Sequence, residues 1–246
     1  MYYFVSDVHL GGGSKEEALD AETRFVKWLD SVAQDATGIF ICGDLFDFWY
    51  EYKRVVPKGF VRTLGRLAHL TQRGVRVVFI AGNHDQWVRD YLSVECGVEI
   101  YTTPQIFEVA NKRIYVAHGD NLNIKNDPLL KFMNNGFRSP WIRGLFSMLV
   151  HPDLALKFGQ WWSRTSRNKH INCDHQGRDK AMQMLVEHAC NIHTQSNTDY
   201  HIFGHIHLAK DYTSEGGIRV IFMNDWSECP HVAVMNELGE IRLEEV

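Results

Sequence analysis

Three observations on the 246-residue sequence predict an α/β fold of two sheets flanked by helices. Buried-strand patterns alternate with amphipathic helical patterns through the first half, as layered α/β folds require. Each of those strands runs into a short cluster of Asp, Asn, His and Gly. The second half changes to hairpin-like strands, enough to build a second sheet.

In chain order, residues 2–6 read as a buried strand ending at Asp7, and residues 37–42 and 75–81 read the same way. Between them, residues 21–33 and 59–73 carry apolar residues at helical spacing. Residues 105–110 and 112–118 read as a hairpin about Asn111, and its second strand runs straight into His118. A strand at 200–203 ends at Gly204-His205. Beyond it, residues 217–223, 231–236 and 240–244 read as an antiparallel set expected to close the second sheet. Residues 126–169 break the alternation: they are helical in pattern, rich in Trp, Leu and Phe, and dotted with Arg and Lys. We read them as a helical cap inserted into one domain spanning residues 1–246.

Composition sets class rather than activity. Hydrophobic residues make up 45% and charged residues 23%, ordinary globular usage. A net charge of −4, with no long basic block, argues against a nucleic-acid partner. The five cysteines are scattered and never spaced C-x-x-C, which fits a reducing cytoplasm. The first Asp/His motif begins at Asp7, so no signal peptide is expected, and no apolar run is long enough to span a membrane.

Five motifs carry the chemistry: Asp7-Val-His9, Gly43-Asp44-Leu-Phe-Asp47, Gly82-Asn83-His84-Asp85, His118-Gly-Asp120 and Gly204-His205-Ile-His207. In α/β sheets, ligand groups collect beyond the carboxyl ends of strands, and these motifs all sit there. Asp7 and His9, two apart, can reach one cation. Asp44 has two carboxylate oxygens and so can bridge neighbouring ions. The donors divide into Asp7, His9, Asp44 and His207 for one cation, and Asp44, Asn83, His118 and His205 for a second. Carboxylate with imidazole suits Mn, Fe or Zn better than Ca or Mg. His84 is left to contact a phosphoryl oxygen and protonate a leaving group, with Asp47 expected to hydrogen-bond it and fix its tautomer. Asp85 and Asp120 are supporting candidates. The other eight of the thirteen histidines, among them His69, His188 and His201, read as ordinary structural residues.

In their order and spacing, from Asp7 to His207, these motifs resemble the calcineurin-like metallophosphoesterase superfamily. The resemblance implies a four-layer αββα sandwich, two divalent ions, most often Mn²⁺, and displacement at phosphorus. Within the superfamily the chain is most similar to the UDP-2,3-diacylglucosamine hydrolases of lipid A synthesis. The carriers are its length, Gly43-Asp-Leu-Phe-Asp-Phe-Trp49, His118-Gly-Asp120 and a helical insertion with Pro140-Trp141 and a Ser/Arg/Lys-rich exit. The chain departs from many of those hydrolases in having His84 where they carry Arg and Asp47 where Glu is common. The resemblance implies cleavage of the pyrophosphate of a lipid-linked UDP-sugar, releasing UMP and 2,3-diacylglucosamine 1-phosphate. It places Asn83, His84, Asp127, Ser163, Arg164, Ser166 and Lys169 at the substrate.

An apolar cap fits that substrate, because burying acyl chains is worth about 25 cal/mol per Å² while Arg and Lys grip phosphates. Amphipathic helices with Trp and basic residues also favour a membrane interface, so peripheral contact with the inner face of the cytoplasmic membrane is expected. The bland alternative is that the same residues pack the insertion onto the domain. Two rival functions remain: a phosphoesterase for another ester, such as a nucleotide phosphodiesterase or protein phosphatase, and a non-catalytic scaffold of the same fold.

Overall fold

Tyr3 and Val5 point to one side of the first strand and Phe4 to the other, and both sides are buried. That pattern recurs in the neighbouring strands at Gly38–Ile41, Arg76–Ile80 and His231–Met235 and explains the sheet's place in the middle of the molecule. The structure, a computed structural model, describes residues 1–120, 139–171, 175–227 and 229–246, with the backbone alone for 140, 166–171, 175 and 176. Its elements are β1 (Tyr2–Val5), α1 (Lys15–Val32), β2 (Gly38–Ile41), α2 (Val61–Gln72), β3 (Arg76–Ile80), α3 (Tyr91–Cys96), β4 (Glu99–Tyr101), β5 (Gln105–Val109) and β6 (Lys112–Ala117). They continue with α4 (Pro140–Leu149), α5 (Pro152–Ile171), α6 (His175–Ser196), β7 (Tyr200–Phe203), β8 (Lys210–Thr213), β9 (Arg219–Phe222), β10 (His231–Met235) and β11 (Ile241–Glu245).

Two sheets result, ordered β11-β10-β1-β2-β3-β4 and β5-β6-β7-β9-β8. Strands β1 to β4 pair in parallel, as do β6, β7 and β9. Phe4, Phe40 and Val78 from the first sheet meet Phe107, Val116 and Ile221 from the second in a dry layer between the sheets. Each such fully buried apolar side chain contributes about 1.5–3 kcal/mol. The outer face of the first sheet, with Tyr3, Ile39 and Val77, packs on Phe25, Trp28 and Leu29 of α1 and Leu67 and Leu70 of α2. Tyr115, Phe203 and Phe222 on the far face of the second sheet pack on Met182, Leu185 and Ala189 of α6. The layers therefore run helix, sheet, sheet, helix, as expected.

Two expectations change. Residues 231–245 do not close the second sheet: β10 pairs antiparallel with β1, and β11 with β10, so both extend the first. Val232 and Val234 face the helices while Ala233 and Met235 face the inter-sheet layer. A strand buried on both faces reads the same in either sheet, so its apolar pattern could not choose between them. Helix α1 also begins six residues earlier than its apolar period, because Ser14 and Glu17 form a reciprocal capping box: Ser14 Oγ accepts from the Glu17 amide at 3.2 Å, and the Ser14 amide donates to Glu17 Oε2 at 2.7 Å.

Helices α4 and α5 fall within the expected cap. Tyr50 Oη lies 2.6 Å from Ser147 Oγ and donates to the Arg143 carbonyl at 3.2 Å, and Tyr52 Oη donates to the Val150 carbonyl at 2.9 Å. Gly159 of α5 lies flush on the Phe48 ring, leaving no room for a Cβ. The loop after β2 is thus the platform on which α4 and α5 rest.

Candidate metal centre

Asp7 follows β1, Asp44 follows β2, Asn83 follows β3, His118 follows β6 and His205 follows β7, so both sheets empty their strand ends into one crevice. The loops are stitched together by main chain: the Asp7 amide donates to the Gly43 carbonyl at 3.1 Å, the His9 amide to Asp44 at 3.0 Å and the Gly204 amide to His118 at 3.1 Å. Asp7, His9, Asp44, His205 and His207 all hold left-handed backbone, with φ between +48° and +68°. Such conformations cost on the order of 1–3 kcal/mol each for non-glycine residues and persist where surroundings over-determine them. Gly43 sits at φ +93°, and a Cβ there would strike the His118 ring. A Cβ on Gly204 would strike the Asp7 carboxylate. The glycines of these motifs make room for neighbouring donor groups.

All seven residues expected as metal ligands converge. Asp7 Oδ1 lies 3.4 Å from His207 Nε2 and 3.9 Å from His9 Nε2, and the two imidazole nitrogens are 3.4 Å apart. Asp44 Oδ2 lies 3.2 Å from His118 Nε2 and 4.0 Å from His9 Nε2. His118 Nε2 is in turn 3.1 Å from Asn83 Oδ1, and Asp44, His118 and His205 offer ligand atoms within 4.8 Å of one another. Asp44 stands between the two groups, the position a shared carboxylate requires.

The tautomers point the same way. A backbone carbonyl can only accept, so the 3.0 Å contact from His118 Nδ1 to the Cys42 carbonyl puts a proton on Nδ1 and turns the Nε2 lone pair toward Asp44. His207 Nδ1 is held 3.1 Å from Asp225 Oδ2, with the same result for its Nε2. Lone pairs of imidazole and carboxylate gathered in a buried space are costly unless a proton or cation lies between them. The residues present fit a pair of divalent ions, and burial and neighbouring charges set how each donor titrates. Burial opposes a charged His207, but Asp225 and Asp7 outweigh it and raise the imidazole to about 10. Burial, reinforced by His84, lowers His9 to about 3. Burial likewise opposes ionisation of Asp7, and the His207 hydrogen bond overcomes it, holding the carboxyl well below its usual range.

His84 is buried at the edge of this cluster, with Nε2 3.9 Å from Asp44 Oδ2 and its ring edge-on to His9. The expectation for Asp47 needs correcting. His84 Nδ1 donates to the main-chain carbonyl of Asp47 at 2.7 Å, while Asp47 Oδ1 accepts from Ser163 Oγ at 2.6 Å. The loops after β2 and β3 run side by side, the Trp49 amide donating to the His84 carbonyl at 3.1 Å, so it is main chain that faces the ring.

Ser163, expected at the substrate, is thus buried against Asp47, and Arg164 is exposed on α5. Asp127 lies outside the described residues, as do the side chains of Ser166 and Lys169. Asp85 serves the scaffold: its carboxylate accepts from the amides of Gly82, Phe46 and Asp44 at 2.8, 3.3 and 3.4 Å. Asp225 was not anticipated. It follows the buried strand β9 as Asp7 follows β1, and that repeated placement of a carboxylate just past an apolar run is the signal that marks it.

Such a crevice on such a sandwich defines a metal-dependent phosphoesterase. The chain belongs to the calcineurin-like phosphoesterase family, whose profile matches residues 2–209. A UDP-2,3-diacylglucosamine hydrolase from Porphyromonas gingivalis is 34% identical over 238 residues, covering 91% of this chain and 89% of its own length. Enzymes of the same name from Haemophilus influenzae and Vibrio cholerae are 27% and 26% identical over 244 and 241 residues. These alignments cover 97% and 96% of this chain, and 96% and 93% of the relatives.

Proposed function

We propose that the chain hydrolyses the pyrophosphate of UDP-2,3-diacylglucosamine, releasing UMP and 2,3-diacylglucosamine 1-phosphate. The observation that carries this reading beyond the family is the apolar surface of α4 and α5. Trp141 is 88% exposed, Met148 75% and Trp161 59%, with Leu145, Leu149, Leu154, Phe158 and Trp162 also exposed. Trp141, Met148 and Trp161 face solvent, whereas Phe146 packs on Tyr50 and Trp87, and the exposure of the former favours acyl contact over packing of the insertion. An exposed apolar stripe on each of two consecutive helices suits acyl chains and the bilayer that presents them. Among the described residues no helix is long and apolar enough to cross a membrane.

In this reading Asp7, His9, Asp44 and His207 hold one cation and Asp44, Asn83, His118 and His205 the other, with residues 126–169 as the cap. Bound there, two Mn²⁺ ions, or Fe or Zn in their place, would supply charge for the phosphoryl oxygens and lower the pKa of water. His84, its Nδ1–H committed to Asp47, presents Nε2 to the crevice. In the imidazolium form that nitrogen donates to a phosphoryl oxygen and offsets charge that grows in the transition state. Asp225 and the Cys42 carbonyl keep His207 and His118 aimed. The test is incubation with Mn²⁺ and UDP-2,3-diacylglucosamine, following UMP, beside a small aryl phosphodiester. The reading expects a far higher kcat/KM for the lipid-linked substrate, and equal or lower turnover of it would overturn the assignment.

A further inference from the structure

Cys229, His231 and Glu245, none of them in the crevice's ligand groups, lie at the margin of the first sheet and offer ligand atoms within 4.8 Å of one another. The arrangement follows from local structure. His231 and Glu245 stand directly opposite each other in the β10–β11 ladder, which puts their side chains on one face. Cys229 stands two residues before His231, across Pro230, and its thiol reaches the same pair. The Val246 amide donates to the Pro230 carbonyl at 3.0 Å and continues the pairing past Glu245. His231 Nδ1 donates to the Cys229 carbonyl at 2.9 Å, which leaves the Nε2 lone pair to bind. That is how His118 is prepared in the crevice, and it is the usual way a metal-binding imidazole is oriented.

We propose that Cys229, His231 and Glu245 form a third cation site, taking a thiophilic divalent ion such as Zn²⁺, separate from the dinuclear centre. Sulfur, nitrogen and oxygen donors with one position left for water match a tetrahedral zinc site. On binding, the ion replaces the thiol proton, which is released to solvent, and no electron is transferred. The thiolate sorts the metals, since the crevice offers only oxygen and nitrogen and the margin site offers sulfur. The site also bears on the crevice. Asn224 Nδ2 donates to the Cys229 carbonyl at 3.0 Å, and the next residue, Asp225, orients His207. An ion held there braces the segment that presents Asp225.

The experiment uses the full chain, stripped with chelator, reloaded with Mn²⁺ and then titrated with Co²⁺. A thiolate bound to Co²⁺ gives a near-ultraviolet charge-transfer band, and neither half of the crevice contains a thiolate, so the readout is independent of activity and of the proposed substrate. One equivalent of the band is expected, absent in Cys229→Ser and shifted at least tenfold to higher cobalt in His231→Ala. Zn²⁺ should bleach the band and protect Cys229 from alkylation, read by peptide mass. No band in the wild-type chain, or a band that survives Cys229→Ser, overturns the proposal.

Discussion

Ser163 Oγ donates a 2.6 Å hydrogen bond to Asp47 Oδ1, joining cap helix α5 to the loop whose main-chain carbonyl holds the His84 ring at 2.7 Å. Ser163 and Asp47 are both buried, so the bond is protected from water. Helix α5 is thereby anchored to the residue that orients His84.

Replacing Ser163 by Ala leaves a buried carboxylate oxygen without this donor, at a cost of about 1–3 kcal/mol. The melting temperature should fall, and kcat for a small phosphodiester should fall with KM little changed, because such a substrate does not reach the cap. A rise confined to KM for the lipid-linked substrate would return Ser163 to a direct substrate contact.

His84→Ala should lower kcat by about 10²–10⁴, the range for loss of a positioned acid. Its manganese content should be unchanged, since His84 lies outside the proposed ligand sets. Elemental analysis beside steady-state kinetics checks both, and unchanged turnover refutes the role.

Metal-free protein should lose stability as pH rises from about 6.5 to about 10. His207 is at 6.5 when unfolded and about 10 when folded, so its contribution is complete below pH 6.5 and is lost through the folded value. Thermal melts of chelator-treated protein across that window should slope downward. Asp225→Asn should flatten the slope, and Mn²⁺ should flatten it too, because a cation then takes the place of the proton on Nε2.

Trp141→Ala combined with Met148→Ala should leave the melting temperature nearly unchanged, as both side chains are exposed. The pair should raise KM for the lipid-linked substrate and weaken co-sedimentation with phospholipid vesicles, while activity on a small aryl ester holds. Equal losses on both substrates would remove the cap from recognition.

The crevice was more legible in the sequence than the fold around it. Asp7, Asp44, Asn83, His118 and His205 each end a buried strand, so strand pattern and motif reinforced each other. Asp225 ends β9 in the same way but stands in no motif, and only the folded chain brings it to His207. The Asp47 carbonyl could not be foreseen from a side-chain inventory, because main-chain contacts depend on how two loops lie together. Strand β8, exposed at a sheet edge, has no apolar alternation to betray it. The sheet to which β10 belongs was hidden by burial on both faces.

Asp44 is assigned to both cations of the crevice, and manganese stoichiometry with electron paramagnetic resonance tests that sharing. Two Mn²⁺ per chain are expected at saturation, with a spin-coupled spectrum that Asp44→Asn abolishes along with tight binding of at least one ion. One ion per chain, or two that show no coupling, would contradict it.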